Sequence, residues 1–368
     1  MIFLSILIVG IYFFTLIYFI IGALKINLSN DSTDYSKGIS VILCVKNGES
    51  SIKNILDDFK VQDYNGSIEF LIIDDNSSDK TKEIILNYVD SDNRYKYFDS
   101  NEMAYSQLSY KKRALNVGIK NAKFDWMLFT DVDCRVQPSW AKCMASNYNN
   151  SDYIIGYSSV NGEDSLVSKF QSIDFKMLMF SAAGTTLLGS PLACSGQNQS
   201  YKKSLFQKVG GFHDIKNLLQ GDDSIFLQMC RNKQKINTKF SLNKKTFVKS
   251  KTHNSIWKFI LQRMRWSGDA NIMWKYNKLF FISIFSTFYT NCLVIFLIII
   301  PNFFIELLIL LLTKFLFEFV IYCIGSKRIF EKININSFMI WFFLQPIYVV
   351  LMGVLSFFAF KINWKAGD

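Results

Sequence analysis

Long apolar runs at both ends of the chain restrict its fold more than any other feature of the sequence. Residues 2–23 contain no charged side chain, and a helix of that length can span a hydrocarbon core about 30 Å thick. Further runs cover Leu279–Ile300, Asn302–Ile324 and Ser337–Phe360. Buried core helices of a soluble protein are the alternative, but runs this long and this closely spaced favour membrane-spanning helices.

The first run predicts an N-terminal transmembrane helix over residues 1–24. A cleaved signal peptide is disfavoured, because no Lys or Arg precedes the run and because it is long for the apolar core of such a peptide. Lys25 follows the first run, and Lys275 and Lys278 precede the second. Since positive charge concentrates on the cytoplasmic side, we expect an integral protein of the inner membrane whose central residues face the cytoplasm.

The region 279–360 predicts about three further membrane helices. Its middle run carries Lys314 and Glu318, four residues apart and therefore on one helical face. Charges at such a depth usually pair, so we predict an ion pair that faces other helices. Pro346 leaves two alternatives open for the last run, a continuous helix and a re-entrant hairpin, and the side of the C-terminus stays open with them.

Composition narrows the choice of partners. The chain has a formal charge of +11 together with 50% hydrophobic residues. The excess of Lys and Arg could serve to bind nucleic acid, or to contact anionic lipid head groups and a phosphorylated substrate. The membrane runs favour lipid and substrate, and no nucleic-acid-binding module stands out. Seven scattered Cys without a C-x-x-C pair predict reduced thiols, and only two His exclude a His-rich metal site.

Between the membrane runs, residues 36–253 alternate between apolar strands and helical stretches. The strands are predicted at Ile39–Val45, Ile68–Ile73 and Trp126–Thr130. This alternation predicts an α/β fold with a mostly parallel sheet. Ligands of such sheets bind beyond the carboxyl ends of the strands, and two of these strands end in Asp pairs. The polar chemistry is therefore expected at one edge of the sheet.

Asp131 and Asp133 close the third of these strands. Alternate residues of an extended chain point the same way, so both carboxylates can face one ligand. Hard oxygen ligands suit Mg²⁺ or Mn²⁺ held jointly with diphosphate oxygens. The D-x-D pattern alone is more often a solvated turn, but its position after a buried strand favours a metal site.

Two further acidic motifs have a structural and a functional interpretation. Asp74 and Asp75 begin a loop, Asp74–Asp79, that leads into a helix. A Ser or Asp of this loop could cap the helix, or a carboxylate could bind the base or ribose of a nucleotide. Asp222 and Asp223 follow Gly221 at the predicted start of another helix. The helix dipole favours acidic residues there, but a carboxylate aimed into a cleft could instead deprotonate an acceptor hydroxyl.

Residues 254–276 predict an amphipathic helix lying on the membrane, close to the second apolar run. This segment contains Gln262, Arg265 and Trp266 in the pattern Q-x-x-R-W. An amide, a guanidinium and an indole are thereby placed near the membrane surface.

The order of these motifs resembles that of family 2 glycosyltransferases, the group that includes cellulose, chitin and hyaluronan synthases. The resemblance covers roughly residues 38–270 and implies a GT-A-type nucleotide-sugar-binding domain flanked by transmembrane helices. Asn76 departs from the Gly common at its position, which a turn tolerates. The matching segments are Ser40-Val41-Ile42, Asn47-Gly48-Glu49, Asp74-Asp75-Asn76-Ser77, Lys111 with Ala114-Leu115-Asn116, Asp131 with Asp133, Gly196–Tyr201, Val209–Phe212, Gly221-Asp222-Asp223, and Gln262 with Arg265-Trp266.

The resemblance implies a hexosyltransferase that inverts the anomeric carbon by direct displacement. Asp223 is implied as the base, with Asp222 as the alternative if the register is off by one residue. Mg²⁺ or Mn²⁺ is implied at Asp131 and Asp133. The residues implied to bind the nucleotide-sugar donor are Asp74, Asp75, Lys111, Asp131, Gln262, Arg265 and Trp266.

The acceptor implied is a hydroxyl of a glycan or glycolipid. A polyprenyl phosphate is the alternative within the transferase class, because a phosphate oxygen needs no general base. A nucleotidyltransferase also uses metal-binding carboxylates, but no Gly-rich, Lys/Arg-rich N-terminal loop is present. A non-catalytic scaffold would be expected to have lost the acidic motifs, which are intact here.

Overall fold

The computed structural model describes residues 2–29, 35–103, 108, 111–162 and 164–361. Their contacts divide the chain into two compact units. The helical unit contains residues 2–27, 160–192 and 252–361, and the sheet unit contains residues 28–159 and 193–251. The chain therefore leaves the sheet unit and returns to it before that unit is complete.

The sheet unit is built on a seven-stranded sheet with the order β3-β2-β1-β4-β8-β6-β9. The pairs β1–β2, β1–β4, β2–β3 and β6–β9 are parallel, whereas β8 runs antiparallel to both of its neighbours. The mostly parallel α/β sheet predicted from the sequence is confirmed. The strands are β1 Ile39–Val45, β2 Ile68–Asp74, β3 Tyr95–Asp99, β4 Trp126–Asp131, β6 Tyr153–Gly156, β8 Gln199–Lys202 and β9 Thr238–Ser241; a smaller sheet has the order β5-β10-β7, with β5 Cys134–Arg135, β7 Ser158–Asn161 and β10 Val248–Lys251.

The register of the central strands aligns their carboxyl ends. Val45 of β1 is opposite Asp74 of β2, and Cys44 is opposite Asp131 of β4. Asp74 is in turn opposite Asp99 of β3. The acidic residues at the strand ends therefore lie along one edge of the sheet, as the sequence predicts.

Helices cover both faces of this sheet. On one face Phe59 stacks on Phe70 of β2, with ring centroids 4.9 Å apart, and Trp140 stacks beyond it at 6.3 Å. On the other face Gly118 lies so close to β1 and β2 that a β-carbon there would be 2.7 Å from Ile73 Cδ1. The helices are α2 Ile52–Lys60, α3 Thr81–Ser91, α4 Lys111–Asn121, α5 Trp140–Ala145, α7 Lys203–Lys208 and α8 Ser224–Lys233.

The helical unit contains the predicted membrane helices. Among the described residues, four helices are long and apolar enough to cross a membrane: α1, α11, α12 and the segment Ile335–Ala359 that contains α13. Helix α13 continues through Pro346, so the hairpin alternative is wrong. The helices of this unit are α1 Ile2–Leu24, α6 Leu166–Leu187, α9 Ile256–Ala270, α10 Met273–Tyr276, α11 Lys278–Ile299, α12 Phe304–Arg328 and α13 Ile335–Leu355.

Helix α6 is the longest of the elements that the sequence did not predict. It packs against α1, α12 and α13, and Ser165 caps its first turn by accepting a hydrogen bond from the Ser168 amide. Gly22 of α1 and Gly184 of α6 meet backbone to backbone, because a β-carbon at Gly22 would lie 2.7 Å from the Gly184 backbone. The predicted continuous domain 36–253 is thus interrupted by a segment that belongs to the helical unit.

The ion pair predicted inside the third apolar run is confirmed. Lys314 Nζ lies 2.7 Å from Glu318 Oε2, and both side chains are buried. Tyr12 of α1 donates a hydrogen bond to the second oxygen of Glu318 at 2.8 Å, and Lys314 also donates to Gln345 of α13 at 2.8 Å. The pair therefore faces two other helices and joins α12 to α1 and α13.

Candidate functional site

Lys111 lies at the centre of an ionic cluster at the carboxyl edge of the sheet. Its Nζ is 2.6 Å from Asp131 Oδ1 and 3.6 Å from Asp222 Oδ2. Lys111 begins α4, Asp131 ends β4, and Asp222 lies just before α8, so three segments of the chain meet here. Burial alone would lower the pKa of the Lys111 ammonium, but the two carboxylates outweigh burial and hold that pKa well above its ordinary value.

Asp222 and Asp223 are adjacent in sequence but have different surroundings. Asp222 is buried and faces Lys111, whereas Asp223 is partly exposed and caps α8 by accepting from the Ser224 amide. Gly221 before them has a φ of +103°, a conformation that favours glycine. Burial, reinforced by the charge of Asp222, raises the pKa of the Asp223 carboxyl to about 6.

The loop before β8 closes one side of the cluster. The Gly196 amide donates to Asp223 Oδ2 at 3.2 Å, and a β-carbon at Gly196 would lie 3.5 Å from Lys111 Nζ. Ser224 ties the loop to α8: its hydroxyl accepts from the Cys194 amide at 3.1 Å and donates to the Cys194 carbonyl at 3.0 Å. The sequence showed Gly196 within a motif but gave no sign of this contact with Asp223.

Asp74 and Asp75 are both buried and bonded within the sheet unit. Asp74 accepts from the Ser77 amide at 2.9 Å, which shapes the turn after β2. Asp75 accepts from Arg113 Nη2 at 2.8 Å and from the Ser100 hydroxyl at 2.6 Å. Neither residue caps α3, whose N-cap position is Lys80 without a side-chain cap bond. Nucleotide recognition by this pair stays a prediction.

The turns after β1 and β2 are bonded to each other. Asn76 has a φ of +61° and Asn47 a φ of +49°, so both adopt the left-handed conformation that asparagine tolerates. The Asn47 side chain accepts from the Ser78 amide at 2.9 Å, and the Gly48 amide donates to Thr81 Oγ1 at 2.8 Å. These bonds hold two neighbouring loops at the edge where the Lys111 cluster lies.

The D-x-D carboxylates differ in exposure and partners. Asp131 is bound to Lys111, whereas Asp133 is exposed in the turn between β4 and β5. Within the part of the chain that the structure describes, no three His, Cys, Asp or Glu side chains are grouped so that they could hold a metal ion.

The Q-x-x-R-W residues lie on α9 and are partly exposed. The sequence did not reveal the role of the buried Arg263, whose guanidinium carbon lies 4.3 Å from the centre of the Trp266 ring. Gln262, Arg265 and Trp266 belong to the helical unit and the Lys111 cluster to the sheet unit, and the donor-binding roles of these three residues stay predictions.

Two glycosyltransferase family descriptions match this chain. The family described as "Glycosyl transferase family 2" matches residues 40–210, and "Glycosyl transferase family group 2" matches residues 126–360. The chain is similar to poly-beta-1,6-N-acetyl-D-glucosamine synthase of Staphylococcus aureus, 27% identical over 215 residues that cover 54% of this chain and 50% of the relative. The Staphylococcus epidermidis enzyme of the same name is 24% identical with the same coverage. The chain thus matches about half the length of these curated relatives.

A solved structure supports the fold over nearly the full chain. The mannosyltransferase PcManGT from Pyrobaculum calidifontis, in complex with GDP-Man and Mn²⁺, has a TM-score of 0.57 and 13% identity, and the match covers 96% of this chain and 97% of that one. The GT-A-type sheet is confirmed by this likeness, and the flanking apolar helices are confirmed by their length and composition. Since one family description spans well over half of the sequence, the chain belongs to glycosyltransferase family 2.

Proposed function

We propose that this protein is an inverting glycosyltransferase that moves a sugar from a nucleotide-sugar donor to a hydroxyl acceptor at the cytoplasmic face of a membrane. The observation that carries the proposal is the environment of Asp223. The residue is partly exposed, so an acceptor can reach it, and desolvation of its carboxyl group raises its pKa to about 6. A general base is most effective when its pKa lies near the working pH. Asp223 meets that requirement at neutral pH, where it is ionised and still a better proton acceptor than an ordinary aspartate.

The proposed reaction is a single displacement. The Asp223 carboxylate accepts the proton of the acceptor hydroxyl while that oxygen forms a bond to the anomeric carbon. The bond from the anomeric carbon to the nucleoside diphosphate breaks on the opposite side, which inverts the configuration. The Gly196 and Ser224 amides hold the two oxygens of Asp223 and so keep the carboxylate oriented for this step.

Lys111 has an electrostatic role in this proposal. Its single positive charge faces Asp131 and Asp222, and Asp223 lies in the same cluster. Without Lys111 the carboxylates would repel one another and would repel the phosphates of a donor. Even with it, the cluster carries excess negative charge, so diphosphate binding calls for an additional cation.

The oxygen ligands at this edge of the sheet suit a divalent cation as the additional positive charge. Mg²⁺ and Mn²⁺ prefer carboxylate, phosphate and water oxygens and are often held by one or two carboxylates plus substrate phosphates. Asp133 is exposed at the strand end, and Asp131 has an oxygen besides the one bound to Lys111. Such an ion, when bound, neutralises the departing diphosphate; the Mn²⁺ named for PcManGT supports its inclusion here.

A hydroxyl of a growing glycan is the acceptor that we favour. The curated relatives are named as synthases of a polymer of N-acetylglucosamine, in which each addition is made to a sugar hydroxyl. Asp223 supports the same choice, because a phosphate acceptor needs no general base. Transfer to a polyprenyl phosphate is the alternative, and it would not depend on the Asp223 carboxylate.

The test is a donor screen with the full chain purified in detergent. GDP-mannose and a nucleotide-activated N-acetylglucosamine are compared for acceptor-dependent release of nucleoside diphosphate, with Mn²⁺, with Mg²⁺ and with EDTA. We expect one donor to be turned over in the presence of metal, and Asp223→Asn to remove most of that turnover. Turnover that Asp223→Asn leaves unchanged would contradict the hydroxyl mechanism and favour a phosphate acceptor.

A further inference from the structure

Helix α9 is held by a second buried ion pair of the helical unit. Arg263 Nη2 lies 3.2 Å from Asp174 Oδ2 of α6, and only 3% of the Arg263 side chain is exposed. An ion pair this deeply buried seldom adds net stability compared with apolar side chains of the same size. Its partners must nevertheless meet, because either charge alone would be buried without compensation. Such a pair therefore specifies geometry more than it contributes stability.

Trp341 links this pair to the Lys314–Glu318 pair. Its indole Nε1 donates to Asp174 Oδ1 at 3.3 Å, and Lys314 Nζ lies 5.9 Å from the centre of its ring. Gln345, one turn further along α13, accepts from Lys314 at 2.8 Å. Hydrogen bonds, ion pairs and one cation–ring contact thus connect α1, α12, α13, α6 and α9, and every contact in this network lies within the helical unit.

The network ends on the Q-x-x-R-W motif. The Arg263 guanidinium that binds Asp174 also stacks on Trp266, at 4.3 Å from the ring centre, and Phe175 lies against the same indole at 5.9 Å. Arg263 stands directly after Gln262 and two residues before Arg265. Fixing Arg263 therefore fixes the rotation of α9 about its axis and, with it, the direction of the three motif side chains.

We propose that Asp174 and Arg263 are positioning residues that orient Gln262, Arg265 and Trp266 for binding of the nucleotide-sugar donor or acceptor. The expected change in donor KM rests on the proposed transferase function. The expected loosening of α9 does not. Neither residue touches substrate in this proposal. Their effect passes through the stacked Trp266 ring and through the rotation of α9.

The experiment compares single variants with a neutral double variant in the full chain. Arg263→Met or Asp174→Asn alone leaves one buried charge unpaired, and either should lower the thermal unfolding temperature. The double variant Arg263→Met with Asp174→Asn removes both charges and should recover much of that stability. If the pair positions α9, the double variant still shows a raised donor KM and a kcat/KM lower by roughly a hundred-fold, because small misplacements of binding groups have effects of this size.

Hydrogen–deuterium exchange over residues 256–270 gives a readout that does not need activity. We expect faster exchange in the double variant than in the wild type, while an exposed control, Lys53→Gln with Asp57→Asn, changes neither exchange nor kinetics.

Arg263→Lys retains the charge but loses the flat contact with Trp266, so it should fold yet share the KM defect. Wild-type exchange and wild-type kinetics in the stable variants would overturn the proposal. If the wild-type protein transfers no sugar, the proposed function is wrong. The positioning role would still be tested by the exchange measurement.

Discussion

The Lys111 ammonium lies 2.6 Å from the Asp131 carboxylate and so joins the first residue of α4 to the last residue of β4. This contact occupies one oxygen of the first carboxylate of the D-x-D pair. It leaves the second carboxylate, Asp133, as the more accessible ligand for a cation. The two Asp residues of the motif are therefore expected to behave differently when they are replaced.

Asp223→Asn should lower transfer to a hydroxyl acceptor by roughly a hundred-fold or more, because the amide keeps the shape but cannot accept the proton. Donor affinity should change little. Stability should change little, because two effects oppose each other. The asparagine loses one of the two bonds that Asp223 accepts from the Gly196 and Ser224 amides. It also removes a carboxylate whose folded-state pKa of about 6 lies above that of an unfolded aspartate and which therefore opposes folding above pH 6. Steady-state kinetics and thermal unfolding check both points. A larger defect in Asp222→Asn would move the base by one residue.

The pH dependence of kcat/KM should show an acidic limb with a midpoint near pH 6. Asp223 must be ionised to act, so activity rises as pH increases through its pKa of about 6. Lys111→Met removes a positive charge that lowers this pKa, and the limb should therefore move to higher pH. Rate profiles from pH 5 to 9 for both proteins measure the shift. An unmoved limb would exclude Asp223 as the group that titrates.

Asp133→Asn should raise the Mn²⁺ concentration needed for half-maximal activity by at least about ten-fold, with little change in unfolding temperature, because Asp133 is exposed. Asp131→Asn should in addition destabilise the protein, since it removes the nearest partner of Lys111. Metal titrations of activity, paired with thermal unfolding, separate the two effects. Full activity in EDTA would exclude the metal altogether.

Gly22→Val should destabilise the helical unit by about 1–3 kcal/mol, the usual range for overpacking. A β-carbon at Gly22 would lie 2.7 Å from the Gly184 backbone, which forces α1 and α6 apart. Gly10→Ala on the same helix is the control, because a β-carbon there meets nothing within 4 Å. Thermal unfolding in detergent compares the two variants, and equal midpoints would show that the close crossing of α1 and α6 is absent.

The sheet unit should face the cytoplasm. Lys244 and Lys245 are exposed, so Lys245→Cys provides a reactive position in a background without the native cysteines. A membrane-impermeant maleimide should not label this cysteine in intact cells but should label it once the membrane is opened. Labelling in intact cells would reverse the orientation that we infer from Lys25, Lys275 and Lys278.

Much of the fold follows from local patterns in the sequence. The strand at Ile39–Val45 is predicted with its full bounds, because an uninterrupted β-rich run ends at a polar turn. The next two strands extend one residue further than predicted, to Asp74 and Asp131, since pairing with neighbouring strands continues into a residue that a hydrophobic pattern excludes. Helix α6 was missed because Lys169, Asp174 and Lys176 interrupt any apolar run. Its burial depends on partners from distant parts of the chain.

In the candidate site, too, local patterns were predictable and long-range contacts were not. The acidic residues could be found because each follows a strand or begins a helix. The contact of Lys111 with Asp222 could not, because 110 residues separate the two in sequence, whereas their side chains lie 3.6 Å apart. The same holds for Asp174 and Arg263. Contacts that depend on tertiary packing leave no periodic signal along the chain.

The interruption of the sheet unit by α6 has a consequence during translation. Strand β8 lies between β4 and β6, yet it is synthesised only after α6. At about 5–20 residues per second, the ribosome takes several seconds to pass from the end of β6 to the end of β8. Throughout that interval the sheet lacks the strand β8, so we expect the nascent chain to carry an unpaired strand edge of the kind that promotes aggregation. That edge belongs to β4, the strand that ends in Asp131.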